Sequence, residues 1–270
     1  MSEHVLVCAD FCEVALPHDR FDLVIADPPF NIGHGYDGFE DKKGDEEHYD
    51  FTESWLCKAY QSLRDGGVLA VHCPDRIAAL VLQNFNHPAE WIIWHYRFGQ
   101  AKKPATAKSY INSKEHLLIY RRPGEPQTFN PHLTPSDRAT KYKDKRTESA
   151  SVPGMRVAFD VWGLPEDGPF WGRVQGNSAE RREGHPNQLP EVYVERIIRT
   201  WSNIGDQILV PFAGSGTEMV VALALDRHVY GCEISPANVV SIQKRIAKGA
   251  VRIRKTSQGC CDAAGTAANH

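Results

Sequence analysis

The chain has 270 residues, 41% of them hydrophobic, which suits one elaborated α/β domain or a core with a substantial insertion and excludes a disordered chain. No apolar run approaches the roughly 20 residues of a membrane span. The start, Met1-Ser2-Glu3-His4, also lacks the basic and apolar character of a signal peptide, so a cytoplasmic protein without a membrane partner is expected. The net charge of −3 carries no argument for nucleic acid by itself.

Val5–Cys8 reads as a strand ending at Asp10, and Phe21–Ala26 as a second ending at Asp27. Thr52 is placed to cap a helix with Trp55, Leu56, Ala59, Tyr60 and Leu63 on its apolar face. Gly66-Gly67 ends that helix, and Val68–Val71 is the next strand. A helix through Ile77, Leu80 and Val81 follows, then strands over Trp91–Phe98 and His116–Tyr120. From about 121 to 184 the periodicity dissolves into Pro, Gly, Lys and Arg with isolated aromatics, which reads as a functional insertion. Order returns at Pro190, which suits a helix start, with Val194, Ile197, Ile198 and Trp201 on one face. Strands Ile208–Val210 and Val229–Cys232 flank a helix around Val220–Leu225, and Ser235-Pro236 starts a last helix. Strand–helix alternation implies a parallel, doubly wound sheet. Residues 1–120 and 185–254 are thus two halves of one core around the insertion 121–184, and 255–270 reads as a disordered tail.

Two turns carry chemistry. Phe212-Ala213-Gly214-Ser215-Gly216-Thr217 joins a strand to a helix, where glycines let a ligand approach the backbone and helix N–H groups point outward. Nineteen residues beyond Gly214, Glu233 ends the next strand, where an acid can hydrogen-bond a ribose hydroxyl. The dinucleotide pattern GxGxxG is not met, which leaves a single nucleoside. The second turn, Asp27-Pro28-Pro29-Phe30, ends an apolar strand. Its prolines remove two donors and fix the backbone, so carbonyls and the Asp27 carboxylate are fixed acceptors beside a flat ring. Such a site suits a planar base bearing an amino group. Acceptors that draw off its hydrogens help the nitrogen become tetrahedral as a methyl group arrives.

With these residues the chain resembles the amino-methyltransferases of DNA, which make N6-methyladenine or N4-methylcytosine. Asp27–Phe30 matches their catalytic motif and Phe212–Thr217 their cofactor motif, in the permuted order of the β group. Ala9-Asp10-Phe11-Cys12 is similar to the segment that meets the cofactor adenine, and His185-Pro186-Asn187-Gln188-Leu189-Pro190 to a cofactor lid. The resemblance implies a Rossmann-like fold with a seven-stranded, mostly parallel sheet flanked by helices, and a target-recognition insertion. It implies S-adenosylmethionine as cofactor. Asp10, Phe11, Asp27, His185, Gln188, the Phe212–Thr217 residues and Glu233 would contact it. An acid at the head of the catalytic motif favours adenine N6, and such a pocket requires the base to be flipped out of double-stranded DNA. Relatives of this group are often dimers, which makes a homodimer a candidate assembly.

Residues 97–182 hold sixteen Lys and Arg against nine Asp and Glu, a balance of +7 that leaves −10 for the remainder. A segment facing phosphates gives this asymmetry, and so does a solvated loop. Lys102, Lys103, Lys108, Arg138, Lys141, Lys143, Lys145 and Arg146 are the candidate phosphate contacts. Trp162 and Trp171 could wedge into a base stack or pack the insertion. His34, His48 and His116 are acid–base candidates for which surface or structural roles are more common. The glycine-containing stretch 33–47 reads as a lid beside the catalytic turn. Seven cysteines without paired CxxC spacings predict reduced thiols, with no metal centre and no disulfide framework. Three other functions remain open: cytosine-N4 methylation, methylation of RNA in place of DNA, and a silent subunit that binds nucleic acid beside an active partner.

Overall fold

The apolar runs of the sequence are too continuous to have a wet face, and the structure buries them on both sides. The computed structural model describes residues 2–33, 35–37, 39–85, 90–96, 106–137, 155–185 and 187–253. The first part comprises β1 (His4–Cys8), β2 (Phe21–Ala26), a short pair β3 (Gly35–Tyr36) and β4 (Phe39–Glu40), α1 (Asp45–Gln61), β5 (Leu63–Cys73), α2 (Asp75–Asn84), β6 (Glu90–His95) and β7 (Lys114–Arg121). After β8 (Ser136–Asp137), β9 (Met155–Arg156) and β10 (Val161–Trp162) come α3 (Glu191–Trp201), β11 (Gln207–Val210), α4 (Thr217–Ala224), β12 (His228–Glu233) and α5 (Pro236–Lys248).

Eight strands form the main sheet in the order β1-β12-β11-β2-β5-β7-β6-β10. Only β7 runs antiparallel to its neighbours, so the sheet is mostly parallel and mixed as expected. The eighth strand is the two-residue β10, drawn from the segment read as an insertion, which pairs with β6 at the sheet's edge. Because successive strand residues point to opposite faces, Leu23 and Ile25 enter one core cluster while Val24 and Ala26 enter the other. Residues from α1 and α2 (Trp55, Leu56, Ile77, Val81) pack on the second face. Tyr193, Ile197, Met219 and Ile242 of α3, α4 and α5 cover the first.

Two local expectations are corrected. Helix α1 begins seven residues before Thr52, after Gly44, and the Thr52 hydroxyl donates to the His48 carbonyl inside the helix. Three acids in the first turn, Asp45, Glu46 and Glu47, favour that earlier start through the helix dipole. Gly66-Gly67 does not end the helix either. Both lie inside β5, where the pairing with β2 slips between Phe21 and Leu23. Gly66 has φ +73°, and a Cβ there would meet the Pro126 carbonyl oxygen at 2.4 Å, so only glycine fits this bulge.

The segment from 121 to 184 contributes to the core as well as to the surface. Trp162 and Trp171 are both buried, edge to face at 6.2 Å, and Trp162 stacks on Trp201 of α3 at 6.1 Å. Arg196, paired with Asp167 at 2.9 Å, lies over both indole rings. Packing, not wedging, is therefore what these two rings do here. β8 and β9 form an antiparallel pair, Ser136 opposite Arg156, that ties together the two ends of residues 138–154. Those residues, His34 and residues 255–270 lie outside the described set, so the readings made for them gain no structural account.

Trp162→Ala should lower the stability of the fold by roughly 3–5 kcal/mol. Thermal denaturation should then show a loss of roughly 6–20 °C in Tm. A Tm close to that of the parent would return Trp162 to the surface role.

Candidate active site

Asp10, Asp27, Pro211 and Glu233 follow the last residues of β1, β2, β11 and β12 or end them, so all four lie at one edge of the sheet. That edge is where the strand order reverses, β11 leading one way and β2 the other, and where open α/β sheets hold ligands. A cavity opens there, lined by Asp10, Phe11, Asp27, Pro28, Pro29, Phe30, His185, Gln188, Phe212, Ala213, Gly214, Ser215 and Glu233 among others. The structure thus brings together almost every residue that the two motifs nominated. The exceptions are Gly216 and Thr217, which support the cavity from behind. Gly216 caps α4 with φ +75°, and a Cβ there would press on Ile242. Thr217 is buried, its hydroxyl receiving a bond from Arg245 at 2.8 Å.

The nucleoside half is built on Glu233. Its carboxylate accepts from Gly214 N at 2.7 Å, Ser235 N at 3.0 Å and Asn238 Nδ2 at 3.1 Å. A carboxylate has about four acceptor positions, so one remains for a ribose hydroxyl. Burial pushes its carboxyl above the usual range. Asp37 lies alongside, accepting from the Ser235 hydroxyl at 2.9 Å, and supplies a second carboxylate to the same end of the cavity. Phe11 and Phe212 meet edge to face at 5.9 Å and offer apolar ring surface. Asp10 holds its own turn by accepting from Cys12 N at 2.8 Å. Gln188 lines the cavity while its amide bonds Glu180 and Arg182, which fixes the segment expected to act as a lid. Carboxylates for a sugar, rings for a base and exposed backbone at a helix start fit an adenosine-bearing cofactor.

The half expected to be catalytic is the turn after β2. Pro28 and Pro29 supply no donors. Asn31, at φ +56°, turns the chain back, and the Asp41 carboxylate receives the N–H groups of Asn31 and Ile32 at 2.8 and 3.1 Å. The stretch read as a lid is thereby anchored to the catalytic turn at Asp41 and Lys43. Phe30 is mostly buried, lines the cavity and tilts against His72 with centroids 6.3 Å apart. Burial pushes the Asp27 carboxyl up to about 7; His72 opposes that rise, whereas Glu218 and Glu115 add to it.

Several residues at this site escaped the sequence reading. Glu218, in the first turn of α4, lines the cavity and is raised by burial to about 7. Asn187 and Asn238 also line the cavity. Behind Asp27 lies His72, one residue past the register pair Ala26–Val71. Its ring nitrogens meet the Tyr193 hydroxyl at 2.9 Å and Glu115 at 3.0 Å. The signal was present: His72 closes the apolar run of β5 just as Asp27 closes that of β2. The histidines singled out do not share this place. His48 is buried in α1, and His116 bonds Trp91 and Asp75. Among the described residues no cluster suits a metal ion, and Cys8, Cys12, Cys57, Cys73 and Cys232 are free thiols. Of the eight candidate phosphate contacts, Lys108 is described and exposed; the other seven lie outside the described residues.

A family model described as DNA methylase, for N6 and N4 enzymes, matches residues 21–244. Among known proteins, the chain is 30% identical to the DNA adenine methyltransferase YhdJ of Escherichia coli over 82% of this chain and 74% of that one. It is 25% identical to the type II methyltransferase M.HpaI of Haemophilus parainfluenzae over 89% and 73%. Among solved structures, the cytosine-N4-specific PvuII DNA methyltransferase superposes with a TM-score of 0.62 at 16% identity, covering 90% of this chain and 86% of that one. The complex of M1.HpyAVI with S-adenosylmethionine gives 0.60 at 17% identity, covering 90% and 98%. At these identities the two structures share the fold.

Glu233→Ala should weaken binding of S-adenosylmethionine by roughly five- to hundredfold, since it removes an acceptor and leaves three donors unpaired. Isothermal titration calorimetry reads this directly. An unchanged Kd would remove Glu233 from the cofactor site.

Proposed function

Because the chain belongs to the N6/N4 family of DNA methylases, whose methyl donor is S-adenosylmethionine, we propose that it methylates adenine N6 in double-stranded DNA. The observation that carries this reading is that Asp27, Pro28 and Phe30 line the same cavity as Glu233 and Asp37. The bound cofactor supplies an electrophilic methyl group. The target base leaves the duplex, because its amino group is out of reach inside the stack. Phe30 offers the flipped ring a stacking face, and Asp27 with the Pro28 carbonyl accepts the amino hydrogens. Drawing them off frees the nitrogen lone pair from the ring. The remaining contribution is alignment of the amine with the methyl group.

Adenine is favoured over cytosine by the acid at the head of the motif and by the 30% identity to a DNA adenine methyltransferase. The cavity acceptors suit any exocyclic amine, so cytosine N4 is the second reading. A silent subunit is disfavoured by the retention of Asp27, Gly214 and Glu233 in one cavity. No helix among the described residues is long and apolar enough to cross a membrane, and a cytoplasmic homodimer is the setting we propose. Nucleoside mass spectrometry of DNA from a methylation-free host expressing the protein should find N6-methyladenine. N4-methylcytosine alone would replace the adenine reading.

Asp27→Asn keeps the shape and removes the anionic acceptor, so the rate should fall by roughly a hundredfold or more, with cofactor binding largely retained. In the parent enzyme activity should decline as pH falls through about 7, because the carboxylate is the active form and burial places its titration there.

The basic segment is assigned to the DNA backbone. Replacing Lys141, Lys143 and Lys145 by Glu should weaken binding to all sequences. Each lost phosphate contact should reduce the slope of log affinity against log salt by about one. An unchanged slope would return the segment to a solvated loop.

A further inference from the structure

On β5, one residue past the partner of Ala26 and so next to the strand end that carries Asp27, His72 begins a chain of polar contacts. His72 is fully enclosed, and its two ring nitrogens point to Tyr193 of α3 and Glu115 of β7. Glu115 is also buried, and its second oxygen accepts from Arg173 Nη2 at 2.5 Å. Arg173 stacks over Tyr96 at 4.2 Å and gives its other nitrogen to Asn187 at 3.1 Å, in the segment that lines the cofactor cavity. The series Arg173, Glu115, His72, Asp27 therefore alternates in sign from the recognition segment to the catalytic carboxyl. These two contacts suit a protonated ring that donates from both nitrogens and equally a neutral ring that accepts from the Tyr193 hydroxyl; the carboxyls around it shift the balance toward the protonated form.

We propose that Arg173, Glu115 and His72 are positioning residues that keep Asp27 in its anionic, proton-accepting form, with His72 acting on it most strongly and Arg173 linking the 121–184 segment to it through Glu115. The inference rests on the catalytic role assigned to Asp27 above. Burial alone disfavours a carboxylate at that position, and Glu218 of α4 adds a like charge. Opposing these are the His72 imidazolium of β5 and, at longer range, Arg173; Glu115 works against them directly and for them through His72. Burial likewise disfavours the charged His72, but its hydrogen bond to Glu115 and the charges of Asp27, Glu115 and Glu218 raise it overall. Glu115 is penalised by burial yet lowered overall by its bond to His72 and by the charges of His72, Arg173 and His116. Tyr193 stays a neutral phenol, its ionisation suppressed by burial and the surrounding carboxyls. Arg245 pairs with Glu191 and moderates Glu218 from the far side.

The sign follows. Removing the positive imidazole leaves Asp27 with its burial and the Glu218 charge, so its titration moves up. His72→Gln keeps a polar side chain of similar reach and loses the charge. An opposite charge at close range typically shifts a carboxyl by about one to three pH units, and the titration midpoint of Asp27 should rise by that amount. Arg173→Gln, at a partly exposed side chain, should raise it less. The deciding measurement is carbon-13 NMR of the full chain labelled at aspartate carboxyls, the Asp27 signal being identified by its loss in Asp27→Asn. The companion measurement is the pH dependence of tritiated methyl transfer, to any base, on genomic DNA from a methylation-free host. In both variants the acid limb should move up with the NMR midpoint and activity should return at alkaline pH. An unmoved midpoint, with rates lowered by one factor at every pH, overturns the relay and assigns His72 to packing. If His72→Gln does not fold, Arg173→Gln decides by the same criteria. An enzyme that transfers no methyl group fails the proposed function instead, and the NMR midpoint still judges the relay.

Discussion

A carboxylate placed where water is scarce is the constraint on which this site depends. In the role proposed for it Asp27 must be accessible to a base, yet it stands at the end of a strand whose last five residues before it are nearly all buried. Left alone there, a carboxyl takes up a proton and ceases to be the acceptor the chemistry needs. The surrounding structure can be read as the answer. Pro28 and Pro29 shape the turn without donors, Asp41 holds the exit of that turn through two backbone N–H groups, and the buried His72 imidazole lies on the neighbouring strand.

The cofactor half is held by a second set of buried charges with a different purpose. Arg245 joins the glycine turn, through Ser215 and Thr217, to Glu191 at the start of α3. Glu191 accepts in addition from Val251 N and Arg252 N, so the end of the described chain is tied to the same point. Buried pairs of this kind contribute little net stability against an apolar replacement. Their effect is geometric: the turn that must approach the cofactor has one arrangement, and the helix behind it cannot shift independently.

The parts of this structure that were legible in the sequence are those where local chemistry and tertiary need agree. Asp27–Phe30, Phe212–Gly214 and Glu233 are legible because, although each alone is an ordinary strand end, a donor-free acidic turn, a glycine turn and a strand-end acid are specific in combination. Ser235 caps α5 as its position suggested, accepting from Asn238 N at 3.2 Å. What stayed hidden depends on partners distant in sequence. Thr52 looked like a cap because hydroxyls usually are, whereas the acids before it and the packing of His48 extend the helix. Gly66-Gly67 looked like a helix end because a bulge is recognised only once the partner strand is known. His72 and Glu115 are 43 residues apart and become a pair only when β5 and β7 lie side by side. Trp162 and Trp171 sit among loop-forming residues, and nothing local reveals that β10 has joined the sheet.

The short pair β8–β9 has a consequence for how such a protein can change over generations. Its two strands clasp the ends of the intervening chain, so the span between Asp137 and Met155 begins and ends at nearly the same place. The entropy of closing a loop grows slowly, by about 0.6 kcal/mol for each doubling of length. Lengthening, shortening or exchanging that span therefore disturbs the scaffold very little. Arg173, Glu115 and His72 have no such freedom, since each is held by at least two partners at defined positions. Variation is thus directed toward a span that would read a sequence and away from the machinery that would mark it. Descendants of one ancestral enzyme can diverge in what they recognise while conserving what they do.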